Sequence, residues 1–110
     1  MLFTCVEDFY NKADGAPRMS RDEEKEAFAL MKSGDEQARE RLVESYLFLV
    51  ASRIKRLPAE MQSLELVYRS VESLERAVDK YDFSGDGDTF AHHLGFVVQR
   101  EITKYIAEKN

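Results

Sequence analysis

The sequence predicts an all-α fold, a compact bundle of about four to five helices. Three observations lead there. Nonpolar side chains recur at steps of three and four through most of the chain. Two prolines and five glycines leave little material for the turns of an all-β fold. No stretch alternates polar and nonpolar residues long enough to defend a strand. A length of 110 residues fits one domain with one core. Apolar residues at 44% and charged residues at 34% suit a folded, soluble helical chain rather than a disordered one.

The elements follow in order. Leu2, Val6 and Phe9 share a face of a first helix over residues 2–12, and Asp14-Gly15-Ala16-Pro17 breaks the pattern. Ser20 followed by Glu23 is a capping box that starts a second helix, with Phe28 and Met31 turned inward and a stop at Ser33-Gly34. Asp35 suits the next N-cap, because its carboxylate accepts from first-turn amides at the positive end of the helix dipole. A long third helix carries Ala38, Leu42, Tyr46, Leu49 and Arg53 along one side until Pro58 forces a break. Leu64, Val67, Val71, Leu74, Val78 and Tyr81 form a narrow seam on a fourth helix. Phe90, Leu94, Val97, Val98, Ile102, Tyr105 and Ile106 mark the last. The division expected is a short N-terminal helix and loop over 1–18 and a helical domain over 19–110.

Composition narrows the function. The net charge of −5 gives no whole-molecule attraction to nucleic acid, so any DNA contact needs a local basic surface or a partner that supplies one. Arg53, Lys55 and Arg56, with Arg39 and Arg41 upstream, form the densest basic region. It reads equally as a phosphate patch or as solvated helix charges. The single cysteine, Cys5, permits no internal disulfide and is expected as a small buried hydrophobe. With no spanning run and no signal-peptide pattern, the expected location is the cytoplasm and no membrane is involved. No glycine-rich phosphate loop is present, and no serine or cysteine has an evident base partner, so no enzyme is expected. His92 and His93 are neighbours about 100° apart on a helix and cannot share a metal simply. Asp82-Phe83-Ser84-Gly85-Asp86-Gly87-Asp88 resembles the start of a calcium loop, but His93 stands where a bidentate glutamate should close it and Thr89 where an aliphatic belongs. It is read as a polar turn, and neither metal nor cofactor is expected.

Ordered blocks between residues 19 and 106 resemble region 2 of bacterial RNA polymerase sigma factors, with the short segment before it. They are Ser20-Arg21-Asp22-Glu23-Glu24-Lys25, Met31-Lys32-Ser33-Gly34-Asp35-Glu36, Ala38-Arg39-Glu40-Arg41-Leu42-Val43-Glu44, Leu64-Glu65-Leu66-Val67 and Leu74-Glu75-Arg76-Ala77-Val78-Asp79-Lys80-Tyr81-Asp82. Phe90 opens the family's melting segment and Glu101-Ile102-Thr103 closes it. The resemblance implies a helix that docks on the coiled coil of the polymerase's largest subunit, which places Glu65, Leu66, Tyr68 and Arg69 at the polymerase. It also implies an aromatic and basic face for unstacked bases of the promoter −10 element, which places Phe90, His93, Phe96, Arg100 and Lys104 at DNA. For Phe90 and Phe96, core packing is the competing reading.

Several motif residues differ. The family's Asn-Leu-Arg is Tyr46-Leu47-Phe48, and its Gln-Glu-Gly-Asn is Tyr68-Arg69-Ser70-Val71, so a carboxylate has become a cation. The melting motif reads His93-Leu94-Gly95-Phe96-Val97-Val98-Gln99-Arg100, and both tryptophans are gone. The function expected is a sigma-factor-like transcription initiation component that binds core RNA polymerase and −10 DNA. A separate −35-reading subunit or an anti-sigma protein is a possible further partner. The alternative is a regulatory protein-interaction module on the same scaffold that does not melt DNA, with Tyr46, Phe48 and Tyr68 expected to be exposed for a protein partner.

Overall fold

The structure, a computed structural model, describes residues 2–82 and 89–110. The sequence segment read against a calcium loop lies mostly outside them. The described residues form α1 (Val6–Gly15), α2 (Arg21–Lys32), α3 (Glu36–Ser45), α4 (Leu47–Lys55), a 3₁₀ turn (Ala59–Met61), α5 (Leu64–Lys80) and α6 (Phe90–Lys109), with no strand among them. The all-α prediction holds. None of these helices is long and apolar enough to cross a membrane.

Local chemistry sets the ends. At α2, the Ser20 hydroxyl accepts from the Glu23 N–H at 3.1 Å, and the Glu23 carboxylate accepts from the Ser20 N–H at 2.9 Å. This is the reciprocal cap the sequence predicts. Gly34 adopts φ 101°, which lets the Asp35 N–H reach the Leu30 carbonyl at 3.0 Å and closes α2. Asp35 then caps α3 by accepting from the Gln37 and Ala38 amides.

Several expectations change. The first helix runs on through Asp14 and Gly15, where the sequence predicts a break, and it begins later, at Val6, with Cys5 in extended backbone as its N-cap. Phe3 rather than Leu2 therefore turns inward, leaving Leu2 90% exposed, and Cys5 is exposed, not buried. The long third helix is two. The Ser45 hydroxyl donates to the Leu42 carbonyl at 2.8 Å, and the Tyr46 N–H takes the Val43 carbonyl instead at 3.1 Å. A side-chain donor on a helix carbonyl tightens or bends the turn after it, and here it divides α3 from α4.

α5 runs through the middle, packed on α3, α4 and α6, while α2 packs on α3 and α1 on α4. The narrow seam expected for α5 is wider than predicted. Leu66, Val67, Ser70, Val71, Ser73, Leu74, Ala77 and Val78 are all buried, because partners flank it on more than one side. Phe9 from α1 lies in the same core as Phe28, Leu42, Leu74, Phe90 and Leu94.

One buried acid stands out. Glu24 accepts from the Tyr46 hydroxyl at 2.8 Å. Desolvation raises its pKa above the ordinary 4.5 and outweighs the opposing Tyr46 hydrogen bond and Arg21 charge. The Tyr46 hydroxyl is pushed up as well, by burial first and then by the Glu24 hydrogen bond. An acid whose folded pKa is raised contributes stability that is complete below its unfolded pKa and is lost as pH rises through the folded value. Glu24→Gln keeps an acceptor for Tyr46 and removes the charge. It is expected to raise Tm at neutral pH, with the gain fading below about pH 4.5. An equal loss of Tm at every pH would contradict this.

Candidate functional site

The polymerase candidates lie on the first two turns of α5, where Ser63 caps the helix by accepting from the Leu66 N–H at 3.1 Å. Leu66 is fully buried and belongs to the core, so it offers nothing to a partner in this fold. Its neighbour Glu65, about 100° around the helix, is exposed. Glu65 accepts from Lys109 at 3.2 Å. Tyr68 is half-buried. Its hydroxyl accepts from the Phe3 N–H at 2.7 Å and donates to the Phe3 carbonyl at 2.9 Å, tying residue 3 onto α5. Arg69 reaches across to α6, donating to Glu101 at 2.8 Å and Glu108 at 2.6 Å. Glu108 is held below the usual carboxylate range, chiefly by this hydrogen bond, and Arg69 is raised in return.

The other aromatics expected to be exposed are also engaged within the chain. Tyr46 is buried against Glu24, and Phe48 is half-buried beneath the Arg18 guanidinium at 3.8 Å. These rings build the fold, so they lend no support to a protein-binding surface.

The DNA candidates on α6 divide three ways. Phe90 is 1% exposed and packs with Tyr46, Tyr81 and Phe28 at ring distances of 4.9, 5.0 and 5.4 Å. It is core, because the first turn of α6 inserts between α2, α4 and the end of α5. Phe96 is 67% exposed, with His92 edge-on at 5.0 Å. It borders a small cleft with Arg53, whose guanidinium fits because residue 95 is glycine: a Cβ there would lie 3.0 Å from Arg53 Nη2.

His93, Arg100 and Lys104 do come together. They line a cleft of about 470 Å³ between α5 and α6, floored by Ala77 and Val97. Opposite them stand Arg76 and Lys80 of α5, which the sequence reading missed. The signal was present in Arg76 and Lys80 at i and i+4, but only the packing of α5 on α6 brings those two toward Arg100 and Lys104. Among the described residues Lys80, Arg100 and Lys104 enter no direct ion pair, while Glu101, the one carboxylate of the cleft, is already held by Arg69. In a chain of net charge −5 this is a local basic surface with an apolar floor. It suits phosphates beside flat rings. No three His, Cys, Asp or Glu residues among those described are placed to hold a metal.

Fold and surfaces together define a small helical domain with charged helix faces. The comparisons make that class particular. Over 94 residues, 84% of its length, the chain is 34% identical to the RNA polymerase sigma factor SigA of a Bacillus species and, to the same extent, to SigA of Clostridium acetobutylicum. This bears out the resemblance to bacterial RNA polymerase sigma factors. The chain spans 25% of the length of these relatives. No family model matches it.

Proposed function

We propose that this chain is a sigma-factor-like component of transcription initiation, acting in the cytoplasm, which binds core RNA polymerase through the exposed edge of α5 and promoter −10 DNA through α6. The observation that carries the DNA half is the cleft where His93, Arg100 and Lys104 meet Arg76 and Lys80. Arg76 is already paired with Glu72, but Lys80, Arg100 and Lys104 enter no direct ion pair among the described residues and can draw phosphates, and a base unstacked beside them has Phe96 as a nearby exposed ring. The polymerase half rests on the sigma-like block around Glu65, Tyr68 and Arg69, all at least partly exposed.

The test is a fluorescence assay on a fork-junction promoter DNA in the presence of core polymerase. Base capture should raise the signal of a reporter base in the −10 segment, and Phe96→Ala should reduce it.

The second reading is a regulatory module that binds protein and does not open DNA. What favours it is that Phe90 is spent in the core. On that reading the chain binds polymerase and the reporter base stays silent.

A further inference from the structure

The sigma-like core-binding stretch has a carboxylate at the position that Arg69 occupies here, so the charge on α5 itself is reversed. The structure restores the lost sign from another helix. Arg69 is clasped by two carboxylates of α6, Glu101 and Glu108, and the three groups together keep one negative charge. The two acids are not equivalent. The Glu101 side chain is 14% exposed and also accepts from the Ser73 hydroxyl at 3.2 Å, so both its oxygens are engaged inside the fold. The Glu108 side chain is 51% exposed, and only its Oε2 is taken, by Arg69. Its Oε1 has no hydrogen bond among the described residues, and the cations Lys104 and Lys109 lie close enough to act on the carboxylate.

We propose that Glu108 is a polymerase-contact residue, standing in for the carboxylate missing from α5 and fixed over that helix by Arg69. Arg69 is then a positioning residue: it neutralises half-buried Glu101 and aims Glu108 at a cation on the partner's coiled coil. The proposal rests on the polymerase-binding half of the reading above. It also inverts the plain expectation from the motif. Arg69→Glu would place a third carboxylate against Glu101 and Glu108 and scatter the cluster, so it should weaken docking rather than repair it.

The test measures affinity of the full chain for core polymerase, or for the coiled coil of its largest subunit, in wild type, Glu108→Gln, Arg69→Gln and the double variant. Glu108→Gln is expected to weaken binding about five-fold at low salt, an effect that shrinks as salt rises, with Tm unchanged. Arg69→Gln should weaken binding to a similar degree by releasing Glu108. The double variant should be little worse than either alone, because the two act as one unit. Equal affinity of wild type and Glu108→Gln would overturn the proposal and leave polymerase binding itself intact. Independent, additive losses would also overturn it. No binding by any of the four would remove the polymerase reading, and this proposal with it.

Discussion

Phe90→Ala is expected to destabilise the domain by about 3–5 kcal/mol, the range for deleting a fully buried aromatic ring. Against a typical domain stability of about 5–15 kcal/mol, that leaves a marginal fold. Phe90 sits at the centre of an aromatic cluster with Phe28, Tyr46 and Tyr81, so removing its ring leaves a cavity among three others. Phe96→Ala should behave in the opposite way. Its ring is mostly in water, so the melting curve should move by no more than about 0.5 kcal/mol. Its effect should appear in the capture of an unstacked base, where one lost platform is worth about 1–3 kcal/mol. Urea unfolding of both variants separates these roles. A Phe90→Ala protein as stable as wild type but unable to bind DNA would make Phe90 a base platform and contradict the packing.

Reversing both unpaired cations of α6, Arg100→Glu with Lys104→Glu, should lower affinity for fork-junction DNA at least 25-fold near 0.1 M salt. The estimate follows from counterion release, with a slope of about −0.7 per single-strand phosphate contact and two contacts removed. The salt dependence should flatten by about 1.4 in slope over the same titration. Both side chains are exposed, so circular dichroism and Tm should be unaffected. Loss of affinity with an unchanged slope would mean that the two residues do not face phosphates.

Much of the architecture was legible because it is written in local chemistry. The Ser20–Glu23 box, the Asp35 cap and the glycine after α2 each act within a few residues, and each is where the sequence puts it. The division at Tyr46 was not legible. Its cause is one Ser45 hydroxyl taking the Leu42 carbonyl, and nothing in the apolar periodicity reports that bond. The same limit governs the surfaces. Periodicity assigned Leu64 and Val67 to the α5 seam but left Leu66 to the motif, whereas neighbours on several sides of α5 bury Leu66 too. A motif says which residue types recur, not whether a given chain has turned one inward. Arg69 is the sharper case. Read alone it is a reversed charge, and only the approach of α6, 32 and 39 residues further on, shows it to be the anchor of two carboxylates. Long-range partners of this kind are fixed by packing, which a single sequence does not display.

The most direct test of a sigma-like role is co-elution of the purified chain with core RNA polymerase on gel filtration. A stoichiometric complex that Glu65→Lys weakens is the predicted result, since that substitution sets a cation at the exposed edge of α5 and opposes Lys109. Separate elution of chain and polymerase at micromolar concentrations would contradict the account at its root.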